Sequence, residues 1–464
     1  MNFWTLDRLD RALQSDIVGA RPLGSQWLGD VSTDTRTLRP GDVFVALQGE
    51  RFDGHDFLEV AARSGASALV VRDPRRAAAV GIPVFVVGDT SSALLALGRF
   101  RRRAWGGQVV TIAGSNGKSS TKEMTRAALA TRYVVHATEG NLNNFVGVPL
   151  TLLAIPDSAQ VAVIEIGTNR PGEVATLRAV AEPDIAVVTS IGEEHLEGLG
   201  DLAGVLAEET AVFHGAPLAI APAVQAEVGA AARTMADRVV EAGLDEGDVR
   251  PDRWGLEVDG QVCLQIGETR AVLPFRGVHH ARNAMLAVAV SRALGMDDAD
   301  ALHGMVKATP LPMRGAFESF GTLTVVNDAY NANPASAREA LSLLDALDLG
   351  GGRPRVIVLG SMLELGRQSE ALHREVAVRA LATSATIVAG MGAFAPALAE
   401  AGHADPRVVV ADDVDALWAQ LRTRLPLNAI VLLKGSRGVR LERLLPMLRE
   451  FAGVGPTPRP SDLR

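Results

Sequence analysis

Short Val/Ile-rich runs alternate with Ala/Leu-rich segments of helical period along most of this chain, and that alternation constrains its fold more than any other feature. It is the pattern of βα units, in which each strand is followed by a helix that packs back on a parallel sheet. The predicted class is therefore α/β. Strand-like runs fall at residues 68–71, 83–87, 109–113, 161–166, 185–189, 323–326, 356–359, 386–388, 408–411 and 429–433. Residues 253–276 instead alternate polar and apolar between glycine turns, which predicts a small antiparallel patch, with a helix near 281–294.

A length of 464 residues suits two to four domains. The first division falls after the basic stretch Arg99–Arg103, read as the end of a helix with its charges in solvent, at Trp105-Gly106-Gly107. The second falls where strand–helix alternation restarts near Pro312. The expected domains are residues 1–104, 105–311 and 312–464, and the proline-bearing tail after Gly453 is expected to be disordered. A formal net charge of −8 argues against a general nucleic-acid binder, while leaving room for an anionic small substrate met by local cations. Cys263 is alone, so no intrachain disulfide can form, which fits a reducing compartment. With no basic-then-apolar leader and no run of about 18 apolar residues, a cytoplasmic protein without a membrane span is expected.

The strongest local signal is the segment Val109-Val110-Thr111-Ile112-Ala113-Gly114-Ser115-Asn116-Gly117-Lys118-Ser119-Ser120. It reads as an apolar strand, a tight glycine turn and a helix start. Glycines let backbone N–H groups approach phosphate oxygens, and the helix N-terminus adds positive partial charge. Lys118 can reach the β- and γ-phosphates of a nucleotide, and the Ser119 hydroxyl can face Mg²⁺. The full eight-residue phosphate-loop pattern is not met, because Ile112 stands where its first glycine belongs. Downstream, residues 161–164 deliver Glu165 to the carboxyl end of a strand, where ligand crevices of open α/β sheets lie and where a hard oxygen suits Mg²⁺. His195 follows the next strand among Glu193, Glu194 and Glu197. Its surroundings alone predict a solvated or salt-bridged imidazole.

Taken together these segments resemble the Mur ligases and their folylpolyglutamate synthetase relatives, whose phosphate loop also dispenses with the first glycine. Within the family they look most like the branch that adds D-alanyl-D-alanine to a UDP-linked muramoyl tripeptide. The segment Asp42-Val43-Phe44-Val45-Ala46-Leu47-Gln48-Gly49-Glu50-Arg51-Phe52-Asp53-Gly54-His55 resembles the module that holds the UDP-sugar. Asn143-Asn144 with Gly147-Val148-Pro149-Leu150-Thr151 resembles the loop beside peptide and phosphates. Asp328-Ala329-Tyr330-Asn331-Ala332-Asn333-Pro334, Gly360-Ser361-Met362-Leu363-Glu364-Leu365-Gly366 and Lys434-Gly435-Ser436-Arg437-Gly438 resemble the carboxy-terminal module.

The resemblance implies three domains: an amino-terminal UDP-sugar domain, a central ATPase-like sheet and a Rossmann-like third domain. It implies ATP and Mg²⁺ as cofactors, and UDP-N-acetylmuramoyl-tripeptide and D-alanyl-D-alanine as substrates of a monomeric peptide ligase. Gly114, Ser115, Asn116, Gly117, Lys118, Ser119 and Ser120 would then hold the ATP phosphates. Asn283 would meet adenine, Arg314 a phosphate across the domain gap, and Asp328 the ribose. Ser119, Glu165 and His195 would face metal. Asp34, Arg36, Arg51, Asn143, Asn144, Asn331, Ser436 and Arg437 would contact the substrates. The branch adding the third amino acid, a folylpolyglutamate synthetase-like ligase, and a phosphate-loop regulator that is no ligase stay open as alternatives.

Three positions depart from the family pattern. Where the family usually carries a carbamylated lysine, fourteen residues after the histidine, this chain has Glu209. A glutamate is a carboxylate on a shorter arm, so Glu209 is expected to supply the same charge near a second metal without bicarbonate. His280 replaces an asparagine in the pattern before Asn283, and Ser361 replaces an acid before Met362.

Overall fold

The computed structural model describes residues 3–14, 19, 22–49 and 52–455; Arg51 and residues 456–464, with the proline tail, lie outside them. Four sheets organise the described chain. The first is a parallel sheet in the order Val31–Ser32, Val43–Val45, Ala68–Val71, Val84–Val86. Leu9 and Leu13 at its amino-terminal helix and Leu94 and Leu97 of the helix Thr90–Trp105 pack on one face, while Leu58 and Ala61 cover the other.

The second sheet has six parallel strands, ordered Val239–Ala242, Leu218–Pro222, Ile185–Val188, Gln108–Ala113, Val161–Glu165, Val135–Ala137. The strands nearest its middle are almost wholly buried and mostly apolar because helices cover both faces. An antiparallel three-stranded patch, Arg253–Leu256, Gln261–Ile266 and Thr269–Arg276, leads into the buried helix Val278–Ala293. The last sheet runs Ala316–Phe320, Leu323–Asp328, Ile430–Lys434, Arg355–Leu359, Ile387–Met391, Val408–Ala411, parallel except for its first strand. Buried apolar residues from one face of each six-stranded sheet form a continuous cluster, so the two sheets are joined by a shared core as well as by the chain.

The arginine run behaves differently from the expected solvated face. Arg101 and Arg102 are buried, and Arg102 donates to the Ala181 and Glu182 carbonyls and to Asp184 (3.0, 2.9 and 3.0 Å). Arg99 and Arg103 pair with Glu182 at 2.9 and 2.6 Å. The run therefore clamps the helix Thr90–Trp105 onto the central sheet's own helix Glu173–Ala181. Among the described residues, no helix is long and apolar enough to cross a membrane.

Candidate active site

The carboxyl ends of the two six-stranded sheets face one cleft of about 910 Å³. Strand register explains its contents. Ile112 pairs with Glu165 across the central sheet, so the strand that ends in the glycine turn lies beside the one that ends in a carboxylate. Asp328 pairs with Lys434 in the same way across the last sheet.

The glycine turn is built by close approach. Gly114 has φ +119°, and a Cβ there would come within 2.4 Å of the Thr189 hydroxyl. Gly117 has φ +88° and caps the helix Lys118–Leu129; a Cβ there would meet the Asn283 amide at 2.7 Å. Only glycine fits both demands. Ser115 N–H donates to the Ser190 carbonyl (2.7 Å) and Asn116 N–H to the Ser190 hydroxyl (3.2 Å), which pins the turn. The N–H groups of the helix's first turn have no intrahelical acceptors and are free for an anion.

Lys118 folds back over the turn, donating to the Gly114 carbonyl and to the Ser115 carbonyl (3.3 Å). Its ammonium lies 3.6 Å from Glu194 and 3.9 Å from Glu209. Burial works against the charge, but Glu194, Glu209 and Glu165 outweigh it, and the Lys118 pKa is raised. Glu209 does not line the cleft. It sits fully buried beneath the turn, where its Oε2 accepts the Gly114 N–H at 2.7 Å. Burial lifts its carboxyl to about 7, against the pull of Lys118 and Gly114 and with some help from Glu194. One ammonium cannot offset three buried acids, so part of the proton load falls on Glu209.

Glu165 is held through Oε1 by the Asn143 amide (2.9 Å) and through its backbone by Thr138 (2.9 Å). Asn144 is exposed at the cleft, and its side-chain oxygen accepts the Val146 and Gly147 N–H groups (3.1 and 2.9 Å) at the start of the helix Gly147–Leu153. His195 has φ +51° and pairs through Nδ1 with Glu364, which reaches it from the last domain. The Ser119 hydroxyl and the second Glu165 oxygen are buried without a hydrogen-bond partner, the latter 3.8 Å from the Lys122 ammonium, and both residues line the cleft. Such orphaned hard oxygens fit Mg²⁺. Among the described residues no three acidic, histidine or cysteine side chains gather on one point. That suits a cation held mainly by phosphate oxygens and water.

Asn283 is buried on the helix Val278–Ala293 and lies against Gly117. His280 lines the cleft one turn before it; burial, with His279 and Arg314 nearby, holds its pKa well below the usual imidazole value, so it stays neutral. The last domain brings Arg314, stacked 4.0 Å over Tyr330, and Asp328, 2.7 Å from Lys434. Asn331 also lines the cleft, and its carbonyl accepts from Lys434 at 2.9 Å. Further contacts close the gap: Asn333 to Asn116 (2.9 Å), Arg338 to Glu193 (3.2 Å) and Arg282 to Glu339 (3.2 Å). Apart from Gly114 and Glu209, the phosphate-loop and cross-domain residues expected from the sequence thus meet at one cleft.

The remaining expected substrate residues lie elsewhere. Ser436 is buried, bridging the Leu363 N–H and the Ala332 carbonyl (3.0 and 3.3 Å). Arg437 is turned to Glu442 (3.0 Å). Asp34 and Arg36 form an exposed pair on the amino-terminal domain (2.6 Å) that holds the Asp34 carboxyl at about 2, its hydrogen bonds to Arg36 being the main cause. None of these four lines the cleft. Ser361 brings no charge: its hydroxyl accepts the Ala393 N–H (2.9 Å) and lies so close to Gly392 that a Cβ there would come within 2.2 Å of it. Glu194 and Lys434 are among the cleft residues to which the sequence reading gave no role. The only signal for Glu194 was its place beside His195, whose imidazole was read as solvated or salt-bridged.

Comparison with known proteins agrees with this architecture. Three family descriptions match in order: Mur ligase family, catalytic domain, over residues 30–133; Mur ligase middle domain over 112–291; and Mur ligase, glutamate ligase domain over 316–437. The UDP-N-acetylmuramoyl-tripeptide–D-alanyl-D-alanine ligase of Escherichia coli is 34% identical over 96% of this chain and 98% of its own. That of Bacillus subtilis is 33% identical over 90% and 93%. A crystal structure of MurF from Acinetobacter baumannii superposes with a TM-score of 0.87 at 30% identity, covering 96% of this chain and 99% of that one. MurF from Thermotoga maritima, solved in complex with ADP, gives 0.79 at 27% identity, covering 91% and 98%. With its three domains matched in order along nearly its whole length, the chain belongs to the Mur ligase family.

Proposed function

We propose that this chain is the ATP-dependent ligase that joins D-alanyl-D-alanine to UDP-N-acetylmuramoyl-tripeptide, giving the muramoyl-pentapeptide precursor of peptidoglycan. The observation that carries the reading is the single cleft in which a phosphate loop and Glu165 on one sheet face Arg314 and Asp328 on another. Relatives covering nearly all of the chain are named for this activity. The divisions at 104/105 and 311/312 are supported by the limits of the sheets, and a monomer is the proposed working unit.

A carboxylate is a poor electrophile until one of its oxygens becomes a good leaving group. In the proposed reaction the terminal carboxylate of the tripeptide takes the γ-phosphoryl of ATP, giving an acyl phosphate and ADP. The amine of D-alanyl-D-alanine then attacks the acyl carbon, and phosphate leaves. The protein's part is positioning and charge neutralisation. The first turn of the helix Lys118–Leu129 and the Lys118 ammonium hold the phosphates, and Glu194 and Glu209 keep that ammonium charged over the turn. Asn283 lies where the base would rest beyond Gly117, and Arg314 faces the transferred group from the opposite domain. Asp328, fixed by Lys434, is available to the ribose. Ser119 and Glu165 would hold Mg²⁺, which supplies charge neutralisation at the phosphates. Asn143 and Asn144 lie at the peptide side, and Asp34, Arg36 and Arg51 are assigned to the UDP-sugar.

The test is ADP release with ATP, Mg²⁺, UDP-muramoyl tripeptide and D-alanyl-D-alanine, each omitted in turn. Release that needs all four, with a pentapeptide by mass, is the expected result. Release without D-alanyl-D-alanine, or only with another amino acid, would overturn it.

A further inference from the structure

One member of the arginine run takes no part in the clamp on Glu182 and Asp184. Arg101 is buried, donates to the Ile155 carbonyl and to Asp157 (2.6 Å each), and lies 4.6 Å over the Phe3 ring. There it lines a second cavity, of about 420 Å³, that shares no residue with the cleft. Two further cations line it, Arg8 and Arg11 of the helix Leu6–Ala12, three residues apart and so on one helix face. Arg8 donates to the Phe3 carbonyl (2.5 Å) and lies 4.7 Å over the same Phe3 ring. Arg11 donates to the Asp7 carbonyl (3.4 Å) and lies 6.0 Å over the Phe100 ring. Among the described residues neither Arg8 nor Arg11 makes an ion pair, and a guanidinium has five N–H donors, so each keeps several for a ligand. The one acid lining the cavity, Asp157, is exposed and already paired with Arg101. Three guanidinium groups thus meet one carboxylate, in a chain whose net charge is −8. Like charges so placed repel one another until an anion lies among them.

We propose that this cavity binds a small phosphorylated organic molecule, its phosphate among Arg8, Arg11 and Arg101 and its apolar part against Phe100 and Trp105. The guanidinium fork matches phosphate oxygens in geometry as well as charge. Ring faces and backbone carbonyls already hold Arg8 and Arg101, so little side-chain freedom is lost when a ligand arrives. Apolar ring walls with a few convergent polar groups, at a size within the roughly 300–1,000 Å³ of small-molecule sites, suit an organic phosphate better than the bare ion. Arg8 and Arg11 come from the amino-terminal helix, and Trp105 and Asp157 from segments flanking the central sheet, so the occupant bridges the two. The inference does not depend on the reading of the cleft.

The test is calorimetry of phenyl phosphate binding to the full chain, with Mg²⁺ and β,γ-methylene ATP present to occupy the cleft. The wild type is expected to bind one phenyl phosphate. Arg8→Gln and Arg11→Gln should each weaken it about ten-fold, the loss of one charge-assisted hydrogen bond. Neither side chain is part of the buried core, so both variants should fold, and each checks the other. Inorganic phosphate should bind several-fold more weakly than phenyl phosphate, since it leaves the rings uncovered. No binding, or binding that neither substitution weakens, would overturn the proposal; the second result would place the probe at another phosphate site. Equal affinity for inorganic and phenyl phosphate would overturn the organic ligand. Sedimentation with phosphatidylglycerol vesicles, without any phenyl phosphate binding, would overturn the small molecule in favour of a lipid surface.

Discussion

Asn333 does two separable jobs, and substitution can divide them. Its side-chain oxygen accepts the Ser336 N–H (2.8 Å), capping the helix Pro334–Ala346, while the Ser336 hydroxyl answers at the Asn333 N–H (3.1 Å). Its amide nitrogen donates across the domain gap to Asn116 in the phosphate loop (2.9 Å). Asn333→Ala removes both. Asn333→Ser keeps a good cap but cannot span the gap. The cap contributes about 1 kcal/mol to stability, and the bridging hydrogen bond about 1 kcal/mol to the closed arrangement. With nucleotide placed between the domains, as proposed, the second contribution falls on affinity. A loss of about 1 kcal/mol is a weakening of about five-fold. Asn333→Ser should therefore melt close to the wild type yet bind β,γ-methylene ATP about five-fold more weakly by calorimetry. Asn333→Ala should share that weakening and melt lower. Equal melting losses in both variants, or wild-type affinity in Asn333→Ser, would refute the reasoning.

Three further outcomes follow from buried charge. Turnover in degassed buffer should show no dependence on added bicarbonate, because Glu209 offers no amine for carbon dioxide to modify at the position where the family usually carries a lysine; a clear dependence would overturn this. Glu209 is raised to about 7 when folded against an ordinary 4.5, so the native state keeps a proton that the unfolded chain releases. Its contribution is full below about pH 4.5 and is lost as pH rises through about 7, at on the order of 1 kcal/mol per pH unit. Urea unfolding of the nucleotide-free protein between pH 5 and 8 should show that slope, and Glu209→Gln should flatten it. Lys122 is buried, donates to the Thr138 carbonyl (2.7 Å), and lies 3.3 Å from Glu123 and 3.8 Å from Glu165. Lys122→Met leaves those acids without it and should cost roughly 3–5 kcal/mol in the same assay; a loss under about 1 kcal/mol would contradict the pairing.

The parts of the site that were legible in the sequence are those whose chemistry is local. Gly114 to Ser120 are consecutive, so their strand, turn and helix read directly, and Glu165 could be placed because a strand carries it to the sheet's carboxyl edge. What stayed hidden depends on contacts between distant segments. Glu194 drew no reading of its own because nothing nearby in sequence shows that Lys118 and the last domain enclose it. Arg102 read as a surface charge because its acceptors lie about 80 residues on. Several strands, such as Val135–Ala137 and Leu218–Pro222, gave no separate signal: the first is three residues long and the second carries two alanines and a terminal proline. Arg314 and Asp328 needed the family resemblance, since neither has a local pattern that sets it apart from an ordinary surface cation or turn acid.

Glu209 shows how the same substitution reads differently in one and in three dimensions. By count along the chain it replaces a long-armed carboxylate, and a metal-side role follows. In the fold its shorter arm ends beneath the phosphate loop, on the Gly114 N–H and within 3.9 Å of Lys118. The negative charge is therefore applied to the loop and its lysine, and the carboxylate that actually reaches the cleft beside His195 is Glu194. The two acids divide between them what one extended side chain could do alone: Glu209 steadies the phosphate-binding ammonium from below, and Glu194 presents an oxygen to the cleft. On this account Glu194→Gln and Glu209→Gln should differ in kind. The first should act at the cleft and the second on the loop's hold on nucleotide, and a shared phenotype would mean that the charge alone matters, wherever it sits.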